Sequence, residues 1–215
     1  MTPIAAGRML ALLIAISAAT PSAEPVVRDL VLAFEFRPTA YDYHYTAPTV
    51  DRSGDDDFET AFALSLSGHY GFSGAGSPHA LVLGIGATAG ERETANVVSH
   101  RTHGLRSSVG YACAFSDRVI LHAAPVLEFG LASIEFDATT TYDGFSSDGT
   151  YIAWGAQLRG TYALADHWAI NASAGYIWSS ATLDDGDVDL GLDQDGLLVG
   201  IGLTWRLSSR PSVLW

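Results

Sequence analysis

From Leu197 to Leu207 every second residue is large and apolar: Leu197, Val199, Ile201, Leu203, Trp205 and Leu207. Between them stand Leu198, Gly200, Gly202, Thr204 and Arg206. A strand places successive side chains on opposite faces, so this segment has one apolar face and one face of mostly small or polar residues. A soluble sheet would turn the apolar face inward and cover the other with lysine, glutamate and threonine. The chain contains no lysine. The pattern fits an apolar face in lipid and a small, polar face in a narrow barrel interior.

The alternation recurs along the chain. It predicts eight strands near 29–45, 56–71, 79–91, 99–115, 119–136, 150–164, 167–181 and 195–207. Ser73–Pro78, Ser116–Arg118 and Ala165–His167 read as short turns, and 46–57, 91–98, 137–149 and 182–195 as long polar loops. Short turns at one end and long loops at the other predict an all-β fold. It is an eight-stranded antiparallel up-and-down transmembrane β-barrel with a narrow polar interior. Strand one breaks the pattern: Leu30, Leu32, Phe34 and Phe36 share one parity, and Tyr41, Tyr43 and Tyr45 the other. Arg37-Pro38 lies between, so either a bulge restores the phase or the tyrosines point inward above the bilayer.

Arg8, the apolar run Met9–Ala19 and the small residues to Ala23 read as a signal peptide over residues 1–23, with cleavage after Ala19 or Ala23. The run is too short to cross a bilayer as a helix. The barrel then occupies 24–207, and 208–215 form a C-terminal tail. A net charge of −13 excludes a nucleic-acid partner, since phosphate binding needs a basic surface. The single cysteine, Cys113, cannot form an internal disulfide.

The inward parity collects Glu35, Arg37, Glu59, His69, Arg106, Glu128, Gln157, Arg159 and Arg206 among many glycines. Eight strands leave room only for side chains, and charges buried there must be paired. Glu35 and Glu128 are expected to meet Arg106, Arg159 and Arg206 in a central polar network. Its function is either a structural plug or a gated pore whose ion pairs exchange partners.

The long loops are acidic, with Asp51, Asp55, Asp56 and Asp57 in the first and Asp137, Asp143 and Asp148 in the third. The fourth carries Asp184, Asp185, Asp187, Asp189, Asp193 and Asp195. Asp185, Asp187 and Asp189 begin with calcium-loop spacing. Leu190 then stands where the turn glycine is needed, and Gly196 where the bidentate glutamate belongs. The loops are therefore expected to bind divalent cations weakly and diffusely, with no dedicated metal site and no cofactor. Ser99-His100 invites a lipid-modifying hydrolase reading. Such a site needs its groups on one face, and adjacent strand residues face opposite ways.

In this layout the chain resembles the small eight-stranded outer-membrane barrels of the OmpA/OmpX type, in the outer membrane protein beta-barrel family. Barrels of that class end in a strand whose glycine and aromatic residues are read by the assembly machinery; Gly202, Trp205 and Leu207 match that spacing. The tail, with Trp215 beyond, departs from it. The resemblance implies a bacterial outer-membrane location, with lipid, lipopolysaccharide and the assembly machinery as partners. It also implies a structural, envelope-integrity or surface-interaction role rather than catalysis; a narrow pore for small solutes or ions is the alternative.

Overall fold

A computed structural model describes residues 25–47, 50–73, 77–94, 98–136, 145–184 and 189–207. Eight strands follow one another in chain order: β1 Pro25–Ala47, β2 Val50–Phe72, β3 His79–Thr94, β4 Val98–Ala114, β5 Val119–Phe136, β6 Phe145–Ala163, β7 Trp168–Asp184 and β8 Asp189–Arg206. Each pairs antiparallel with the next, and β1 pairs with β8 to close the barrel. Closure leaves no sheet edge and satisfies every ladder internally, which a spanning structure in lipid requires. The predicted signal peptide and tail lie outside the described residues, as do Asp137, Asp143, Asp185 and Asp187.

The apolar parity faces outward. Leu64, Ile85, Phe129, Trp154, Leu158, Ile201 and their neighbours are large, apolar and exposed on every strand. Rows of aromatic rings bracket this belt. Trp168 and Trp205 stack at 5.9 Å between centroids near the short turns, and Trp154 and Trp178 at 4.4 Å further up. Trp168 and Trp178 are ten residues apart on β7. A tilted strand needs about 9–11 residues to cross a bilayer, so the two rows stand at its interfaces.

The turns at one end are tight. Phe115 N–H donates to Val119 O at 2.9 Å, and Leu164 N–H to Trp168 O at 2.9 Å. Ser116 Oγ accepts from the backbone N–H groups of Arg118 and Val119, so little backbone is left unpaired.

The other end differs from the sequence expectation. Most of the supposed long loops are strand. β1 and β2 run to Ala47 and resume at Val50, and β7 and β8 stop at Asp184 and resume at Asp189. Asp51, Asp55, Asp56, Asp148, Asp184, Asp189, Asp193 and Asp195 therefore sit on hairpin walls rising above the belt. Cross-strand pairing outweighs the low strand propensity of aspartate there, since that propensity reflects context more than backbone preference. Strand one keeps its parity. It pairs Tyr43 with Leu192 and Tyr45 with Leu190, and Tyr45 packs inward on buried leucines. The irregularity falls in β2, where Thr39 pairs with Glu59 but Tyr41 with Asp56, one residue more on β2 than on β1. Pro38 lies where the β1–β8 pairs step from Phe36–Val199 to Thr39–Gly196.

The interior is layered. Ala80, Val82, Ala112 and Ile120 form an apolar floor near the turns. Ile134, Tyr151, Ile177, Leu183, Leu190, Leu192 and Leu198 form a larger apolar core toward the hairpin end. The buried polar side chains lie mainly between them.

Candidate functional site

Glu35 and Arg37 on β1 face across the lumen toward Arg106 on β4 and Glu128 on β5. Arg37 Nη2 donates to Glu35 Oε2 at 2.7 Å and to Glu128 Oε1 at 2.9 Å. Arg106 Nε donates to Glu128 Oε1 at 2.7 Å, and its Nη2 to Glu35 Oε2 at 2.6 Å. Arg106 Nη1 bonds Glu35 Oε1, which also accepts from Ser65 Oγ at 3.3 Å. Each arginine thus holds both carboxylates, and two charges of each sign cancel. Glu35 is 1% exposed and Glu128 0%. Ion pairs this buried persist only when their remaining lone pairs are also bonded, and these are. Small residues make the room: Gly200 opposes Glu35 on β8, and a Cβ there would stand 3.3 Å from Glu35 Cγ.

Arg159 and Arg206 do not join this quartet, contrary to the sequence expectation. Arg159, on β6, reaches across to β2. Its Nη2 donates to His69 Nδ1 at 2.7 Å and lies 3.4 Å from His122 Nδ1. A guanidinium has only donors, so His69 accepts through Nδ1, while its Nε2 lies 2.9 Å from Ser67 Oγ and 3.3 Å from Arg159 Nη1. Arg206 opposes Asp29, which also opposes His69. Asp29 is the carboxylate within electrostatic reach of both Arg159 and Arg206. The cause is vertical spacing: both arginines sit too near the turns to meet Glu35 or Glu128.

Gln157 borders a cavity shared with Glu35, Arg106 and Arg159. The backbone of Glu59 opposes Thr39; its side chain lies outside the described set. Gly202 and Trp205 lie near the end of β8 and Leu207 just past it, with Trp205 and Leu207 exposed on the outward parity. Asp189 is exposed and opens β8, and among the described residues no three His, Cys, Asp or Glu side chains gather into a metal site. Of the pair Ser99-His100, His100 is buried on the inward face.

Sequence reasoning missed Asp29, Arg92, His100 and His122 as interior groups. Asp29 shares the parity of Glu35, and His122 that of Glu128, so both were visible to the same rule. Arg92 falls one residue beyond the predicted end of strand three.

The cavities found beside these groups, among the described residues, are small. Two cavities of about 20 Å³ adjoin Arg159, and one of about 50 Å³ lies between Arg37, Arg92 and His100. At about 10–15 Å³ per water, each holds one to a few molecules. The inward charges are Arg37, Arg92, Arg106, Arg159 and Arg206 against Asp29, Glu35 and Glu128 among the described side chains. Among the described inward side chains arginines thus outnumber carboxylates, in a chain of net charge −13.

The sequence model of the outer membrane protein beta-barrel domain matches residues 9–204. No curated protein matches the chain. Among solved structures, it is similar to neisserial surface protein A, with 16% identity, covering 78% of this chain and 97% of that one at a TM-score of 0.41. It is also similar to the outer membrane protein OprG of Pseudomonas aeruginosa, with 13% identity, 86% and 98% coverage and a TM-score of 0.40. The attachment invasion locus protein Ail of Yersinia pestis gives 15% identity, 85% and 100% coverage and a TM-score of 0.38.

Proposed function

Because this chain belongs to the outer membrane protein beta-barrel family, we propose that it is a closed, non-enzymatic barrel. In this reading it supports the outer membrane and presents its hairpin walls at the cell surface. Residues 1–23 serve as the export signal, the short turns face the periplasm, and Gly202, Trp205 and Leu207 carry the signal for the assembly machinery. Lipid and lipopolysaccharide surround the belt, and the acidic walls attract divalent cations diffusely.

The observation that carries this reading is the quartet of Glu35, Arg37, Arg106 and Glu128. It joins β1 to β4 and β5 across the lumen, with small cavities beside it. A solute would have to break four charge-assisted contacts to pass. Planar-bilayer recording of the refolded protein tests it. The expected trace has no unitary steps at ±100 mV; steady single-channel steps would overturn the reading.

A narrow pore is the second reading, favoured by the excess of arginines among the described inward side chains. It predicts steps with anion selectivity, abolished by neutralising Arg37 together with Arg106.

A further inference from the structure

We propose that the outward wall of β6, β7 and β8 is a docking site for one lipid whose headgroup carries an ammonium. The headgroup lies on Trp154, Trp178 and Asp195, and one acyl chain runs down β7. This rests on the membrane belt described above and goes beyond the structural role.

The headgroup end joins aromatic faces to a carboxylate. Trp154, Trp178 and Asp195 oppose one another in a single row across β6, β7 and β8. The two indoles stack at 4.4 Å between centroids and stay 56% and 39% exposed. Tyr176 packs on Trp178 at 4.7 Å and donates its hydroxyl to Asp195 Oδ2. That bond fixes the carboxylate beside the rings; Asp195 has no other partner among the described residues. An indole face attracts a cation, and a carboxylate accepts a charge-assisted bond from an ammonium.

The charge of this wall selects the sign of the headgroup. The outward parity of the three strands carries Asp148, Asp184, Asp189, Asp193 and Asp195, and no arginine. Asp42 on β1 opposes Asp193 and is exposed with it. A headgroup bearing only phosphate would meet like charge at this height, whereas an ammonium meets its complement.

Below the rings the wall is hollowed. On β7 the outward residues after Tyr176 are Ala174 and Ala172, before Ile170. Ala174 stands between Leu158 and Val199, and Ala172 between Gly160 and Ile201. Two methyl groups among large neighbours leave a shallow apolar channel that begins at the headgroup end. From Tyr176 to Ile170 the strand covers about 20 Å. Tilted by about 45°, that spans roughly one leaflet of a hydrocarbon core of about 30 Å.

Tryptophan quenching by lipids with brominated acyl chains tests the site. The full chain, with Trp168, Trp205 and Trp215 changed to Phe, is refolded into vesicles of neutral digalactosyl diacylglycerol. A minor fraction of brominated phosphatidylethanolamine should quench Trp154 and Trp178 more than the same fraction of brominated galactolipid. The expected preference is roughly two- to fivefold, the range of one exposed cation–π contact. Brominated phosphatidylglycerol should show none. Asp195→Asn should bring the ratio close to one, whereas Asp189→Asn, six residues further up β8, should leave it unchanged. Ala174→Leu fills the channel with the headgroup end untouched and should also reduce it. If Asp195→Asn fails to refold, Ala174→Leu decides alone. Equal quenching by the amine lipid and the galactolipid, a preference for phosphatidylglycerol, or an equal loss in Asp189→Asn would overturn the site. Absence of quenching by every brominated lipid would overturn the membrane belt as well.

Discussion

Arg106 and Glu128 oppose each other directly across the β4–β5 ladder, joined by a 2.7 Å bond from Arg106 Nε to Glu128 Oε1. Facing pairs on one side of a sheet are its natural unit of interaction. Here the side is the lumen, and the pair is completed from β1 by Glu35 and Arg37.

Removing one carboxylate leaves two guanidiniums with a single counter-charge. Glu128→Gln is expected to lose roughly 3–5 kcal/mol of unfolding free energy, the usual cost of breaking a buried pair. Urea titration of the refolded barrel, followed by tryptophan fluorescence, measures it. Exchanging the pair, Arg106→Glu with Glu128→Arg, keeps the charges and should recover part of the loss. A Glu128→Gln variant of wild-type stability would mean that the quartet contributes only bulk.

Arg159 makes a contrasting case. It touches two imidazoles and is one of two arginines near Asp29. Arg159→Leu therefore leaves Asp29 with Arg206 and leaves His69 Nδ1 without its donor. The expected cost is about 1–3 kcal/mol, that of a stranded polar group rather than a stranded charge. The same urea titration should rank Glu128→Gln below Arg159→Leu in stability. The reverse order would place the critical arginine in the lower cluster.

The barrel, its strand count and its outward face were legible because lipid enforces a strict period of two over Leu197–Leu207 and its counterparts. The inward residues followed from the same parity, but which of them meet did not. Partner choice depends on stagger between strands. Glu35 and Arg159 share the lumen, yet they stand at different heights, and no local pattern encodes that difference. The hairpin walls were illegible for another reason. Asp51, Asp55 and Asp56 look like loop residues, and only pairing with β1 makes them strand. The apolar core of Ile134, Leu183, Leu190 and Leu192 was hidden because the interior was expected to be polar throughout.

Topology is open to direct labelling. Ser146 on β6 and Asp117 in the β4–β5 turn are both exposed, at opposite ends of the barrel. With Cys113→Ser as background, a membrane-impermeant maleimide on intact cells should label Ser146→Cys and spare Asp117→Cys. Labelling of Asp117→Cys alone would invert the barrel in the membrane.

The last prediction concerns the hairpin-end core. Leu183 is 0% exposed, and Leu190 opposes it across the β7–β8 hairpin. Both lie above the row of Trp154 and Trp178, where the wall has left the bilayer belt. In that region the barrel must behave as a soluble sheet does, with apolar residues inside and Asp184 and Asp189 outside. Lipid contributes nothing to holding it shut, so side-chain packing does. Leu183→Ala should cost about 2–5 kcal/mol locally, the range for a large-to-small change in a packed core. Hydrogen exchange is the measurement that separates local from global loss. Amides of Ala181, Leu183, Leu190 and Leu192 should exchange faster in the variant, while those of Ile170 and Ile201 in the belt keep their protection. Uniform loss of protection over both regions would mean that the hairpin wall and the membrane barrel unfold as one unit.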